Sequence, residues 1–125
     1  MKVLFQDLKH EDIYHEEVFT DQIEICRISN DTPKAPAFVF NCRVMSRRHA
    51  LILRRDEKFF VKDLKSSNGT FVNSSKLEPM REREIVTGDI LQFGVGVGGH
   101  KPFEGRVKFA EDSETRCLNI RDTNS

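Results

Sequence analysis

The chain has 125 residues, and its 20 Lys and Arg balance 20 Asp and Glu, so the formal charge is zero. That length predicts one domain with enough core to fold without a metal or disulfides. The neutral balance argues against a general nucleic-acid binder, and three widely spaced cysteines (Cys26, Cys42, Cys117) argue against a disulfide framework and for a reducing, cytoplasmic or nuclear compartment.

In chain order, "VLFQDL" is the first strand candidate, and nothing around it is apolar for long enough to be a signal peptide or a membrane span. "QIEICRI" follows, then residues 29–37, "SNDTPKAPA", a mobile loop whose prolines resist strand pairing. Next come "AFVFNCRV", "HALILRR", "KFFVKDL", "GTFVN", "REIV", "DILQFGVGV" and "RVKFA", short β-favouring runs separated by turn residues. Asp56-Glu57 is short enough to close a hairpin, and Thr87-Gly88-Asp89 is a second turn. Sustained helical periodicity is missing. Many short strands at near-regular spacing predict an all-β, antiparallel β-sandwich over residues 1–110, with function grafted on loops at its ends. Residues 111–125 are polar and aperiodic, as a flexible tail would be.

The zero net charge hides an asymmetry. Residues 1–24 carry seven acids against Lys2 and Lys9, and residues 41–65 carry eight bases against Asp56, Glu57 and Asp63. One region can therefore attract an anion while the whole surface does not. Arg54, Arg55 and Lys58 in that basic region flank the expected hairpin tip, where charge usually stays solvated.

Several motifs dissolve on inspection. "GVGVGG" matches the dinucleotide pattern G-x-G-x-x-G, but "HKPFEGR" follows it and holds no helix to bind pyrophosphate, which leaves a glycine-rich strand end. Ser46 and His49 form no triad without an orienting acid and an oxyanion element, so an enzyme is not expected. His49 at a strand entrance more plausibly fixes loop shape. His10, His15, His49 and His100 are scattered and lack metal-ligand spacing, so neither a metal nor another cofactor is implied. Asn30, Asn68 and Asn73 head glycosylation triplets that matter only after secretion.

Two loops stand apart. Ser46-Arg47-Arg48-His49 and Ser66-Ser67-Asn68-Gly69-Thr70 each join small hydrogen-bonding side chains to a turn between strands. Asn68-Gly69 readily takes positive φ, freeing the asparagine side chain for a ligand's backbone. Hydroxyls and guanidiniums converging on one point suit a tetrahedral oxyanion, because phosphate accepts several charge-assisted bonds at once. Ordinary turn chemistry explains the same residues equally well.

Arg27 in "EICRIS", Ser46 and His49 in "SRRHA", Asn68-Gly69-Thr70 in "SSNGTFVN" and the later "GDILQFG" together resemble the signature of forkhead-associated (FHA) domains in order and spacing, over residues 3–110. The resemblance implies a β-sandwich that binds a threonine-phosphorylated protein or peptide through loops at one end, without catalysis. It implies Arg27, Ser46 and Arg47 at the phosphate, Ser67 lining the phosphothreonine pocket and Asn68 on the peptide backbone. His49, Gly69 and Thr70 would support the loops. Cys26 departs from the family pattern, which places glycine before the arginine; if positive φ is required there, a β-carbon is costly. A decayed site making phosphate-independent contacts is the alternative that Cys26 motivates. Peptide selectivity would come from residues 29–37, 43–45 and 73–76. A narrower similarity is to FHA adaptors of the striatin-type phosphatase and kinase assembly, and to fungal ubiquitin ligases that join an FHA domain to a RING finger.

Overall fold

A computed structural model describes residues 1–30, 33 and 36–110. The expected tail, residues 111–125, and part of the loop expected at 29–37 lie outside the described residues. Eleven strands run through the described part: β1 (Lys2–Asp7), β2 (Tyr14–Val18), β3 (Gln22–Arg27), β4 (Ala37–Phe40), β5 (Arg48–Arg55), β6 (Lys58–Asp63), β7 (Thr70–Val72), β8 (Ser75–Lys76), β9 (Glu82–Ile85), β10 (Ile90–Phe93) and β11 (Phe103–Ala110). They form two sheets in the orders β2-β1-β11-β10-β7-β8 and β4-β3-β5-β6-β9. This is the expected all-β sandwich.

The pleat explains why these segments pack as they do. On β1, Val3 and Phe5 turn inward while Leu4 and Gln6 are only partly covered. Ile23 and Ile25 on β3, Ala50 and Ile52 on β5, and Val61 on β6 supply the facing layer, all without exposure to solvent. Phenylalanine replaces the missing tryptophan as the large core residue. Phe5 meets Phe38, Phe93 and Phe103 edge-on at 4.9, 5.9 and 5.9 Å, a geometry that adds to area burial.

Turn chemistry fixes the register. Asp56 and Glu57 both have positive φ, 50° and 65°, as a two-residue hairpin matched to strand twist requires, and Arg55 pairs with Lys58. Asn73 and Ser74 repeat this between β7 and β8, with φ of 48° and 72°.

Four details differ from the sequence reading. The β3–β4 pair is parallel, Glu24 opposite Ala37 and Arg27 opposite Phe40, because the long 28–36 connection carries the chain back along the sheet. "AFVFNCRV" stops pairing at Phe40 and "DILQFGVGV" at Phe93, where loops begin. The β2 strand went unseen since four of its five residues are exposed. Finally, the Asn73-Ser74 turn lies away from the Ser46 and Asn68 loops, with Asn73 bonded to Asp89 and Ile90.

Strand directions place connections 8–13, 41–47, 64–69, 77–81 and 94–102 at one end of the sandwich, the end at which β3 finishes at Arg27. The short turns 19–21, 56–57, 73–74 and 86–89 gather at the other.

Candidate functional site

Both loops singled out in the sequence lie at the long-connection end. The 41–47 loop is anchored by Val44 and Met45, whose side chains sink into the interior with 4% and 2% exposure, each burial contributing about 1.5–3 kcal/mol. Ser46 and the exposed Arg47 are thereby held at the surface just above the core.

His49 ties this loop to the next. Its ring is fully buried; Nδ1 accepts from the Ser46 N–H at 3.0 Å, and Nε2 lies 2.8 Å from the Gly69 carbonyl. An amide N–H can only donate and a carbonyl can only accept, so the ring is neutral with its proton on Nε2. Burial is the main reason its pKa sits below the ordinary histidine value. Phe93 supports the ring edge-on at 5.7 Å.

Asp63, which the sequence reading passed over as the last residue of a strand, organises the 64–69 loop from below. It is 1% exposed. One carboxylate oxygen accepts from the Ser66 hydroxyl and, at 2.7 Å, from the buried Thr70 hydroxyl; the other accepts the Ser66 N–H at 3.1 Å. The Ser66 oxygen in turn accepts the Gly69 N–H at 2.9 Å. Gly69 has φ +86°, and a β-carbon there would come within 2.9 Å of Lys76 Cε. Only glycine fits. Its carbonyl also takes the Gly94 N–H at 2.9 Å. Gly94, with φ +97°, packs so closely on Val44 that a β-carbon would lie 2.7 Å from the Val44 carbonyl oxygen. The glycine-rich "GVGVGG" therefore begins as a packing device.

At the surface of this scaffold, the Ser46 hydroxyl oxygen accepts the Ser67 N–H at 2.9 Å, which leaves the hydroxyl proton available to a ligand. Asn68 corrects an expectation. Positive φ belongs to Gly69, not Asn68, and the asparagine side chain is engaged, Nδ2 donating to the Val44 carbonyl at 2.9 Å. That bond fixes the amide and leaves Oδ1 and the second N–H proton for a ligand.

Arg27 closes the group from β3. Its N–H reaches the Ser46 and Arg47 carbonyls at 3.3 and 3.1 Å, so the arginine stands beside both residues. The register of β3 on β5 shifts between Ile25 and Cys26, a bulge, and Cys26 does not have positive φ. The β-carbon in place of the family glycine therefore costs no backbone strain here. Cys26 is buried, its thiol donates to Glu24 Oε1 at 3.5 Å, and burial followed by that bond pushes its pKa up to about 11, so it stays an inert thiol. Glu24 also holds Arg48 at 3.1 Å. Arg27 and Arg47 make no ion pair among the described residues, and together they line a cleft of about 440 Å³ floored by Cys26 and Val39.

Backbone bonds thus bring β3 at Arg27 beside loops that carry Arg47, one hydroxyl and one oriented amide, while Ser46, Ser67 and Asn68 do not line the cleft that Arg27 and Arg47 share. The backbones of Arg27, Ser46, Arg47, Ser67 and Asn68 are brought together; Arg54, Arg55 and Lys58 lie at the opposite end, from which Arg55 reaches along the sheet to Glu82.

Known proteins align with this geometry. The family model for the FHA domain matches residues 27–94, more than half the chain. Sarcolemmal membrane-associated protein of mouse is 50% identical over 64 residues, 46% of this chain and 8% of that protein. The probable E3 ubiquitin-protein ligase dma1 of Schizosaccharomyces pombe is 40% identical over 70 residues, 52% of this chain and 26% of that protein. The chain thus spans only a small part of the length of either relative. Among solved structures, the N-terminal FHA domain of Rad53p from Saccharomyces cerevisiae, in complex with a phosphothreonine peptide, superposes with a TM-score of 0.66 at 17% identity, over 88% of this chain and 94% of that one. This chain belongs to the forkhead-associated family.

Proposed function

We propose that this chain is a phosphothreonine-dependent peptide-binding module without catalysis, serving as the recognition part of a signalling adaptor in the cytoplasm or nucleus. Arg27, Ser46 and Arg47 hold the phosphate, Ser67 lines the pocket beside it, and Asn68 bonds the peptide backbone. His49, Gly69 and Thr70 keep the loops in shape. The observation that carries this reading is a pair of arginines that make no ion pair among the described residues, one bonded through its backbone to Ser46, whose hydroxyl oxygen already accepts the Ser67 N–H. Such a set is short of an acceptor, and a phosphate dianion supplies several. The free thiols of Cys26 and Cys42 fit a reducing compartment.

The sequence resemblance implies, as the assembly it would serve, a striatin-type phosphatase and kinase complex. The likeness to dma1 supports the alternative that the domain presents substrates to an attached ligase. A fluorescence titration with a phosphothreonine peptide and its unphosphorylated twin tests the core of the proposal. Binding only of the phosphorylated form is expected, and equal affinity would leave a decayed, phosphate-independent site.

A further inference from the structure

A second cleft among the described residues contains none of the residues assigned above. It has a volume of about 630 Å³ at the long-connection end, walled by the 8–13, 41–47 and 94–102 connections. Its floor is aromatic: Phe40 stacks on Phe103 with centroids 4.3 Å apart, and His15 meets both rings edge-on at 5.1 and 5.4 Å.

The charges around this floor are unbalanced. Lys9, Arg43 and Lys101 line the cleft, are exposed, and form no ion pair among the described residues. Two acids line it too. Asp7 is bonded internally: one oxygen accepts the Lys9 and His10 N–H groups at 2.9 and 3.3 Å, and the other lies 4.0 Å from His15 Nε2. These bonds leave the Asp7 charge in place, so Asp7 and Glu104 offset two of the three cations and the lining keeps one positive charge in excess. Glu11 and Asp12, on the same connection as Lys9, do not line the cleft.

The walls are cross-tied, so the cleft does not depend on a ligand for its shape. Cys42 Sγ donates to the Lys101 carbonyl at 3.4 Å, and Lys9 Nζ lies 3.5 Å from the Pro102 carbonyl. Arg43 also connects this cleft with the phosphate site. It stands three positions before Ser46 on one loop, a span of at most about 10 Å, so a single extended partner can touch both places.

We propose that this cleft is a second docking site, which takes an acidic segment of the same threonine-phosphorylated partner. Carboxylates meet Lys9, Arg43 and Lys101, and the aliphatic stems of the segment lie over the Phe40–Phe103 pair. The identity of the partner rests on the proposed function, but the affinity for an acidic peptide does not. Two weak contacts on one partner multiply, since the second becomes intramolecular once the first has formed.

The test uses 15N-labelled full chain and two unphosphorylated probes, a hexaglutamate and a hexaglutamine peptide. Hexaglutamate should shift the amides of residues 7–10, 42–43 and 99–104, and the shifts should shrink as salt rises. Hexaglutamine should shift none of them. The triple variant Lys9→Glu, Arg43→Glu, Lys101→Glu should weaken hexaglutamate binding by about tenfold or more, with its spectrum otherwise native. Equal response to both probes, no response, or shifts spread equally over the Arg54–Lys58 hairpin would overturn the proposal. A short phosphothreonine peptide with Gly-Ser flanks, titrated in parallel, separates the two readings. Its failure to bind would sink the phosphate site alone, and its binding beside a silent hexaglutamate would sink the cleft alone.

Discussion

The two ends of the sandwich spend their hydrogen bonds differently. At the end with short turns, polar contacts sit at the surface: Asn73 reaches Asp89 at 3.1 Å, Asp89 caps Val86 at 2.9 Å, and Arg55 reaches along the sheet to Glu82 in the open. The long-connection end instead holds the buried polar and charged residues of the described part, His49, Asp63 and Thr70. His49 and Asp63 bind loop groups, and the Thr70 hydroxyl binds Asp63. Burying polar groups is costly unless every one is paired, and the sheets would pack as well over apolar residues. What the burial achieves is fixed geometry: Ser46, Ser67 and Asn68 are set in relation to one another before any ligand arrives, which lowers the ordering cost of binding.

The comparison breaks most visibly at Asp63. Replacing it by Ala strips partners from the Ser66 N–H, the Ser66 hydroxyl and the buried Thr70 hydroxyl. Unfolding stability should fall by about 3 kcal/mol or more, read by urea denaturation, and peptide affinity should fall with it. Asp63→Asn keeps an acceptor oxygen and should lose about half as much.

Arg27→Ala separates binding from scaffolding. A charge-assisted bond contributes about 1.5–3 kcal/mol, so affinity for a phosphothreonine peptide should drop on the order of a hundredfold. Thermal unfolding should be little changed, because the side chain makes no ion pair among the described residues. Unchanged binding by a folded variant would move the phosphate to other bases.

His49→Ala should cost about 1–3 kcal/mol of stability, and the cost should depend on pH. The folded ring has a pKa below the ordinary histidine value of 6.5. Above that value both folded and unfolded forms are neutral and the ring's full contribution is present. As pH falls below it, the unfolded chain takes up a proton that the folded ring refuses, and stability is lost until the depressed folded value is reached. The gap in unfolding free energy between the native chain and the variant should therefore narrow from pH 7.5 to pH 5.5. A gap independent of pH would mean that the ring is not held neutral.

At the other end, Arg55→Ala should leave the melting temperature unchanged within error, since the pair with Glu82 is exposed and screened. A clear loss would erase the contrast between the two ends.

The sequence made the architecture readable where side chains alternate or turn chemistry is strict, as in Asp56-Glu57 and the run "HALILRR". It hid β2, because "YHEEV" is an edge strand paired on one side and solvated on most of its length. It hid the parallel β3–β4 pair, because a crossover through a loop leaves no periodic signal. Ser46 and Asn68 could be picked out by the chemistry of their loops, and Arg27 by the family resemblance. Asp63 could not: an acid ending "KFFVKD" looks like a solvated strand terminus, and only its position beneath Ser66 and Thr70 reveals its work. Nor did the residues show that Asn68 would hand an N–H to Val44, a carbonyl 24 positions away.

The central claim is that the loop end reads phosphothreonine and not charge alone. Matched peptides carrying phosphothreonine or phosphoserine, chosen from an oriented library and titrated at two salt concentrations, test it most directly. Both phosphates would meet Arg27, Ser46 and Arg47 alike, so any difference comes from one methyl group against Ser67 and Asn68. Its burial contributes about 0.8 kcal/mol, and the void and freer rotamers of phosphoserine add to that. The account predicts a preference for phosphothreonine of about ten- to a hundredfold, with both affinities falling in parallel as salt rises and their ratio holding. Equal affinities for the two peptides would contradict it.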